Sequence, residues 1–404
     1  MTNQKKRTLG AFEKTFWLLD QIDSKDFALA AEVEGKVSVA AWRLAITQVQ
    51  KRHQNLSARI KMDEFNRPIL EYKDSLIIPL RVLDVETDFR WEQEVEKELA
   101  IRFDTEKGPL LRVVLIQKPE NTVLILVANH TLADGGSLNF LFRDLLNAAT
   151  GKKLEILPQQ KSNDEKLGFP DDIANKDVET VPYICKKIDP VYPKVDSMKF
   201  SIESTSEILE RSRLEGTTVH GAICAAAVIA VRKLRSEWTD KKIELISPIC
   251  TRSALQIDDN FGLNITTHPV YFENAQNLSF WDIARFAKES LKGTETAEHV
   301  ENYIDFFRKL TFNSSDIPQM INILKEAFNH QIMVTNLVRV KYDSDFGKLK
   351  LKSVYGPMVR SGKGMEQTIG AITTNGQLCL TNTSDHPIAG ILREVQGILE
   401  NACV

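Results

Sequence analysis

A chain of 404 residues exceeds one typical domain, and 43% apolar with 26% charged residues is the composition of a globular protein with ordinary cores. A formal net charge of −3 excludes a general electrostatic affinity for nucleic acid or anionic membrane. The longest small-apolar run, "GAICAAAVIAV", is well short of the roughly 20 residues that span a bilayer. The start, "MTNQKKRTLG", leads into no apolar stretch of signal-peptide length, so a cytoplasmic protein without a transmembrane segment is expected.

In chain order, "AFEKTFWLLDQID" reads as a helix or a strand. "SVAAWRLAITQVQKRH" is an amphipathic helix, with Val39, Trp42, Ile46 and Val49 at helical spacing and Ser38 as N-cap. "LSARIKMDEFNRPILEYK" predicts two short strands around an Asn-Arg-Pro turn. "WEQEVEKELAIRF" places Trp91, Val95 and Leu99 on one helical face. "LLRVVLIQK" and "TVLILVANH" form a hairpin whose second strand is almost wholly apolar, hence buried on both faces. "SLNFLFRDLLNAATG" restores helical spacing and stops at Gly151.

Residues 158–196, with Pro158, Pro170, Pro182, Pro190 and Pro193, change character and read as a crossover linker. Strand and helix then alternate again. "MKFSIES" and "KIELISPIC" read as strands, and "SEILERSRLEG", "TVHGAICAAAVIAVRKLRSE" and "LSFWDIARFAKESLKG" as helices. A short-strand sheet from His330 onward and a last helix, "LREVQGILENACV", complete the chain. The expected architecture is mixed α/β (α+β layered), divided into residues 1–160, a linker over 161–196, and residues 197–404.

Cys185, Cys224, Cys250, Cys379 and Cys403 are scattered and never spaced as C-x-x-C, which disfavours disulfide frameworks and zinc knuckles. Cys224 and Cys250 lie in apolar runs and are expected to be buried structural thiols. No histidine pairs with cysteine or carboxylate at metal-ligand spacing, so no metal is expected. The most informative stretch is "NHTLADGGS", directly after the apolar strand. His130 at a strand end is either a base delivered rigidly to a loop or a structural imidazole; Asp134 and Gly135 are its positioning turn or an ordinary Asp-Gly turn. Glycine there supplies backbone freedom that a β-carbon forbids.

His130-x-x-x-Asp134-Gly135 resembles the signature of the superfamily of condensation domains and coenzyme-A-dependent acyltransferases. "KRHQNLSARI" (51–60), "FDTEKGPLLRVVLI" (103–116), "ICTRSALQIDDNFGLNITTHPV" (249–270) and "MVTNLVRV" (333–340) resemble further segments of such proteins, in order across nearly the whole chain. The departures are Asn129 where condensation domains usually carry a second histidine, Gly136 where an aromatic often follows, and Lys348 after "DFG" where plant enzymes have tryptophan. They fit a free-standing single-chain acyltransferase, or a divergent relative with altered activity, better than a peptide-synthesising module or a typical plant enzyme.

The resemblance implies two chloramphenicol-acetyltransferase-like domains in a pseudo-dimer, with the active site in a tunnel between them. It implies an acyltransferase, monomeric and without tightly bound cofactor. The acyl group would pass from a coenzyme A or acyl-carrier-protein (phosphopantetheine) thioester to an alcohol or amine. His130 would be the general base, and Asp134 would face away and pair with an arginine, for which Arg252 is the candidate. Asn336, Thr335 and Asn264 are possible oxyanion or substrate contacts. Lys350, Lys352, Arg360 and Lys363 are possible phosphopantetheine or coenzyme A contacts. Two alternatives stand beside this: a condensation-type enzyme on carrier-bound substrates, and a noncatalytic relative that binds carriers or partners.

Overall fold

The computed structural model describes residues 5–65, 67–170, 192–273, 278–312, 317–360 and 365–404. The chain begins with β1 (Lys6–Thr8), α1 (Ala11–Asp20), β2 (Asp26–Glu34) and α2 (Val39–Arg52). β3 (Ala58–Met62), β4 (Pro68–Tyr72), β5 (Leu80–Asp84) and α3 (Glu92–Ala100) follow. β6 (Leu111–Gln117), β7 (Asn121–Asn129), α4 (Gly135–Ala149) and α5 (Asn163–Lys166) complete the first half. The second half opens with β8 (Lys194–Lys199), α6 (Ile202–Leu214), α7 (Val219–Leu234), β9 (Ile243–Cys250) and β10 (Ile265–Phe272). It continues through α8 (Phe280–Ser290), α9 (Ala297–Phe312), α10 (Ile317–Ala327) and β11 (Ile332–Arg339). β12 (Lys350–Val359), β13 (Gln367–Thr374), β14 (Gln377–Ser384) and α11 (Ile391–Cys403) end it.

Two large sheets carry the two lobes. One has the order β12-β2-β7-β6-β5, the other β10-β9-β11-β13-β14-β8, and a small sheet β1-β4-β3 sits apart. In the first, β7 is buried at every position after Asn121, as its apolar run requires, and pairs antiparallel with both β2 and β6. In the second, α7 buries a face of small side chains, Ala222, Ala226 and Ala230 among them, which lets α8 and α11 pack closely on it. The lobes interlock. β12, from the second half of the sequence, pairs antiparallel with β2 at the edge of the first-half sheet.

α1, open between helix and strand in the sequence, is a helix with every residue but Lys14 buried, which hides any amphipathic signal. Ser38 caps α2 by accepting from Ala41 N at 3.2 Å, as expected, and Trp91, Val95 and Leu99 are buried together. The strand expected over "MKFSIES" stops at Lys199, because Ser201 caps α6 through Ser204 N. Between Gly293 and His330, where no element was assigned, lie α9 and α10; Val300, Ile304, Phe307 and Thr311 are the buried face of α9. Of the expected linker, residues 171–191 lie outside the described residues.

Candidate active site

The site starts where β7 ends. His130 follows Asn129 into a turn that closes at Asp134, and α4 begins at Gly135. The His130 main chain is fixed by donating N–H to Lys25 O at 2.9 Å. Its ring lies between two phenylalanines, stacked on Phe27 at 3.9 Å and on Phe16 at 4.9 Å between centroids. Nδ1 lies 3.1 Å from Ala133 O. A carbonyl can only accept, so Nδ1 carries the proton and Nε2 holds the lone pair. Burial pushes the imidazole down to about 4, and the Ala133 carbonyl and the charge of Asp134 offset only part of that. The ring is therefore neutral at physiological pH.

Asp134 is fully buried and fully engaged. It caps α4 by accepting from Ser137 N at 2.8 Å and accepts from Asn264 N at 2.7 Å. Arg252, just past β9, grips both its oxygens, Nη1 to Oδ2 and Nη2 to Oδ1, each at 3.0 Å. Burial opposes the charge of Arg252, but Asp134 outweighs it and holds the guanidinium above its usual value. Arg252 Nη2 also donates to Ser137 Oγ at 2.7 Å, and that hydroxyl donates to Gly262 O at 2.7 Å. The aspartate thus ties the His130 loop to the other lobe and is not hydrogen-bonded to the imidazole.

The two glycines serve close packing and not unusual backbone angles, which corrects the expectation for Gly135. A β-carbon on Gly135 would lie 2.6 Å from Pro357 Cγ, and one on Gly136 would lie 2.9 Å from Arg252 Nη1. Gly136 thus leaves room for the fork that holds Asp134.

His130 opens onto a cavity of about 420 Å³ between the lobes. Its far wall is one face of the six-stranded sheet. Pro248 and Cys250 of β9 pair in register with Thr267 and Ile265 of β10, and all four line the space with Met333 and Thr335 of β11. α1 adds Phe16 and Leu19, and the cavity lining is mostly apolar. At one end Arg360 is held by Asp385 at 3.1 and 3.2 Å and by Asp23 at 3.4 Å.

A family model described as "Condensation domain" matches residues 14–164. The chain is 21% identical over 383 residues to surfactin synthase subunit 2 of Bacillus subtilis (strain 168), covering 86% of this chain and 10% of that protein. It is 21% identical over 328 residues to bacitracin synthase 2 of Bacillus licheniformis, covering 71% of this chain and 12% of the relative. The chain thus spans about a tenth of the length of these curated relatives. Among solved structures, the first condensation domain of the CDA synthetase superposes with TM-score 0.72 at 14% identity, covering 100% of this chain and 97% of that one. Polyketide synthase associated protein 5 from Mycobacterium tuberculosis gives 0.69 at 16%, covering 98% of each chain. The condensation-domain match covers the first part of the chain, and the similarity to condensation-containing synthases extends over most of the rest. The fold is the two-lobed, chloramphenicol-acetyltransferase-like one of these solved structures.

Within this condensation-type fold the expected residues divide clearly. His130, Gly135, Arg252, Thr335, Asn336 and Arg360 all line the cavity. Asn336 and Leu337 both reach it because β11 bulges between Asn336 and Arg339. Val338 sits in that bulge at φ +64°, strained for a β-branched residue, and its N–H donates to Asn336 Oδ1 at 2.7 Å. Asn264 is a correction. It is fully buried behind Asp134, with Oδ1 accepting from Lys166 Nζ at 3.2 Å, and does not line the cavity. Lys350 and Lys352 are corrections too, since both are exposed on β12 away from the cavity and Lys352 pairs with Glu34 at 3.1 Å. Lys363 lies outside the described residues. Cys224 is buried as expected, but Cys250 is exposed on the cavity wall, 3.6 Å from Arg252 Nη1.

Sequence reasoning missed Phe16 and Phe27, which sandwich His130, and the carboxyls Asp20 and Asp26, which hold Asn129. The only signal was their nearness to one another in "FWLLDQIDSKDF", since nothing local ties that segment to residue 130. His330, also on the cavity wall with Nδ1 2.8 Å from Phe328 O, carried no motif.

Proposed function

We propose that the protein is an acyltransferase that moves an acyl group from a pantetheine thioester to an alcohol or amine in the inter-lobe cavity, with His130 as general base. The observation that carries this reading is the Nδ1-to-Ala133 O bond, which leaves the Nε2 lone pair on a neutral imidazole lining the cavity. Nε2 takes the proton of the acceptor O–H or N–H as that heteroatom attacks the thioester carbonyl carbon. The tetrahedral oxyanion collapses, the C–S bond breaks, and the imidazolium returns the proton to the leaving thiolate. Asn336, whose Oδ1 is occupied by Val338 N, has its amide N–H₂ as the end suited to the oxyanion, with the Thr335 hydroxyl beside it. Asp134 and Arg252 hold the loop and take no proton.

Kinship with condensation domains, a family that acts on thioesters held by carrier proteins, favours a carrier-borne donor over free coenzyme A. The mostly apolar cavity suits an apolar acyl chain. The test is mass spectrometry of products formed from a panel of acyl thioesters, each as coenzyme A and as holo-carrier-protein conjugate, with candidate alcohols and amines. Acyl esters or amides above the no-protein background are expected with at least one donor. Background levels across the panel would contradict the reading.

A further inference from the structure

Asn129, the last residue of β7, is fully buried and ends in an amide held on three sides. Its Nδ2 donates to Asp26 Oδ1 at 2.9 Å and to Asp20 Oδ1 at 3.2 Å, and its Oδ1 accepts from Thr131 N at 3.0 Å. Asp20 Oδ1 also accepts from Lys25 N at 2.8 Å, while Lys25 O accepts from His130 N at 2.9 Å. The two residues that flank the Asn129 amide in the network, Thr131 and Lys25, therefore meet the imidazole-bearing residue from both sides. Nothing in this set touches the cavity except Lys25 and His130.

We propose that the Asn129 amide, gripped by the Asp20 and Asp26 carboxyls, is the positioning element that holds His130 in its reactive orientation. The inference rests on the reading of His130 as base. Two buried carboxyls converging on one amide nitrogen cannot both be ionised cheaply, and their surroundings are unequal. Burial raises the Asp20 carboxyl as well, but it accepts two N–H groups and has Arg102 Nη2 3.5 Å from Oδ2, so of the two it is the better placed to carry the charge. Asp26 has only the amide and the Ser24 hydroxyl, 2.7 Å from Oδ2, and among the described residues no cation lies within 4.0 Å of it. Asp26, whose Oδ2 accepts from Ser24 Oγ, is therefore the member that takes up a proton more readily. Burial first, and then the charge of Asp20, push it up to about 7. Arg112 of β6 and Arg360 beyond β12 act on it only from a distance, and Lys25 Nζ is turned to Asp23 at 3.2 Å.

The consequence is a base whose alignment depends on a different group's proton. As pH rises through about 7, Asp26 ionises beside Asp20 and the grip on Asn129 is strained. His130 itself, pushed by burial down to about 4, is already neutral through this range and does not change charge there. The test is the rate at which diethyl pyrocarbonate modifies His130, read by peptide mass spectrometry from pH 5.5 to 8.5, which needs no substrate turnover. The reagent's reactivity toward free N-acetylhistidine corrects for its own pH dependence. The corrected wild-type rate is expected to change at least about twofold through pH 7. In Asp26→Asn, which fixes a neutral amide where the acid stood, it is expected to stay flat. With a thioester substrate, Asn129→Ala is expected to lower kcat about 10- to 100-fold at unchanged KM, while Asp26→Asn flattens the alkaline limb of kcat. Parallel labelling profiles for wild type and Asp26→Asn would overturn the inference. Absence of turnover in every variant would defeat only the proposed function, and the labelling arm would still decide this one.

Discussion

His130 and Asp134 lie four residues apart and are set up in opposite ways. The imidazole is buried and forms no ion pair among the described residues, so it stays neutral, whereas the carboxylate receives four hydrogen bonds and remains where it is. The structural role assigned to Asp134 has a measurable cost. Asp134→Asn leaves the buried Arg252 guanidinium without its counter-charge, and losing one partner of a buried ion pair destabilises by about 3–5 kcal/mol. Urea unfolding should show that loss, and any fall in activity should track it. Full activity loss in a protein of wild-type stability would place Asp134 in the chemistry instead.

At the scale of elements, the turn depends on α4 docking its first residue against β12. Gly135→Ala puts a methyl 2.6 Å from Pro357 Cγ, and overpacking of this kind costs about 1–3 kcal/mol. Gly151→Ala, at φ +96° with open space around it, is strained only by its backbone and serves as the control that spares the α4–β12 contact. Thermal melts and cavity-dependent activity should both suffer in the first, and only stability in the second. Equal activity in the two would remove α4 docking from the account. The sequence made β7, α2, α3, α4 and α7 legible because each buries a one-sided or continuous apolar pattern. It also made the Asp134–Arg252 pair legible, through a motif. The Asn129–Asp20–Asp26 grip was not, because three polar residues with no shared periodicity meet only after β2 and β7 have paired. Asn264 misled because an amide near a site-like stretch reads the same whether it faces a cavity or backs a carboxylate.

For the whole molecule, β12 is the decisive strand, since it draws the second half of the chain into the sheet that carries His130. The cavity wall is likewise shared between Gly135 on one side and Pro248 and Met333 on the other. Interlocked lobes should unfold together. Trp42 and Trp91 report the first half, and Trp238 and Trp281 the second, once the other tryptophans are replaced by Phe. Urea transitions from the two probe sets should coincide within error; separate midpoints would show lobes that fold independently.

The central claim is that His130 moves the proton in acyl transfer. Steady-state kinetics of His130→Ala with a thioester that the wild type turns over, run beside a thermal melt of the same sample, test it most directly. Loss of a general base predicts a fall in kcat of about 10²- to 10⁴-fold with KM little changed and the fold retained. Thioester-dependent acylation at the wild-type rate by the folded variant would contradict it.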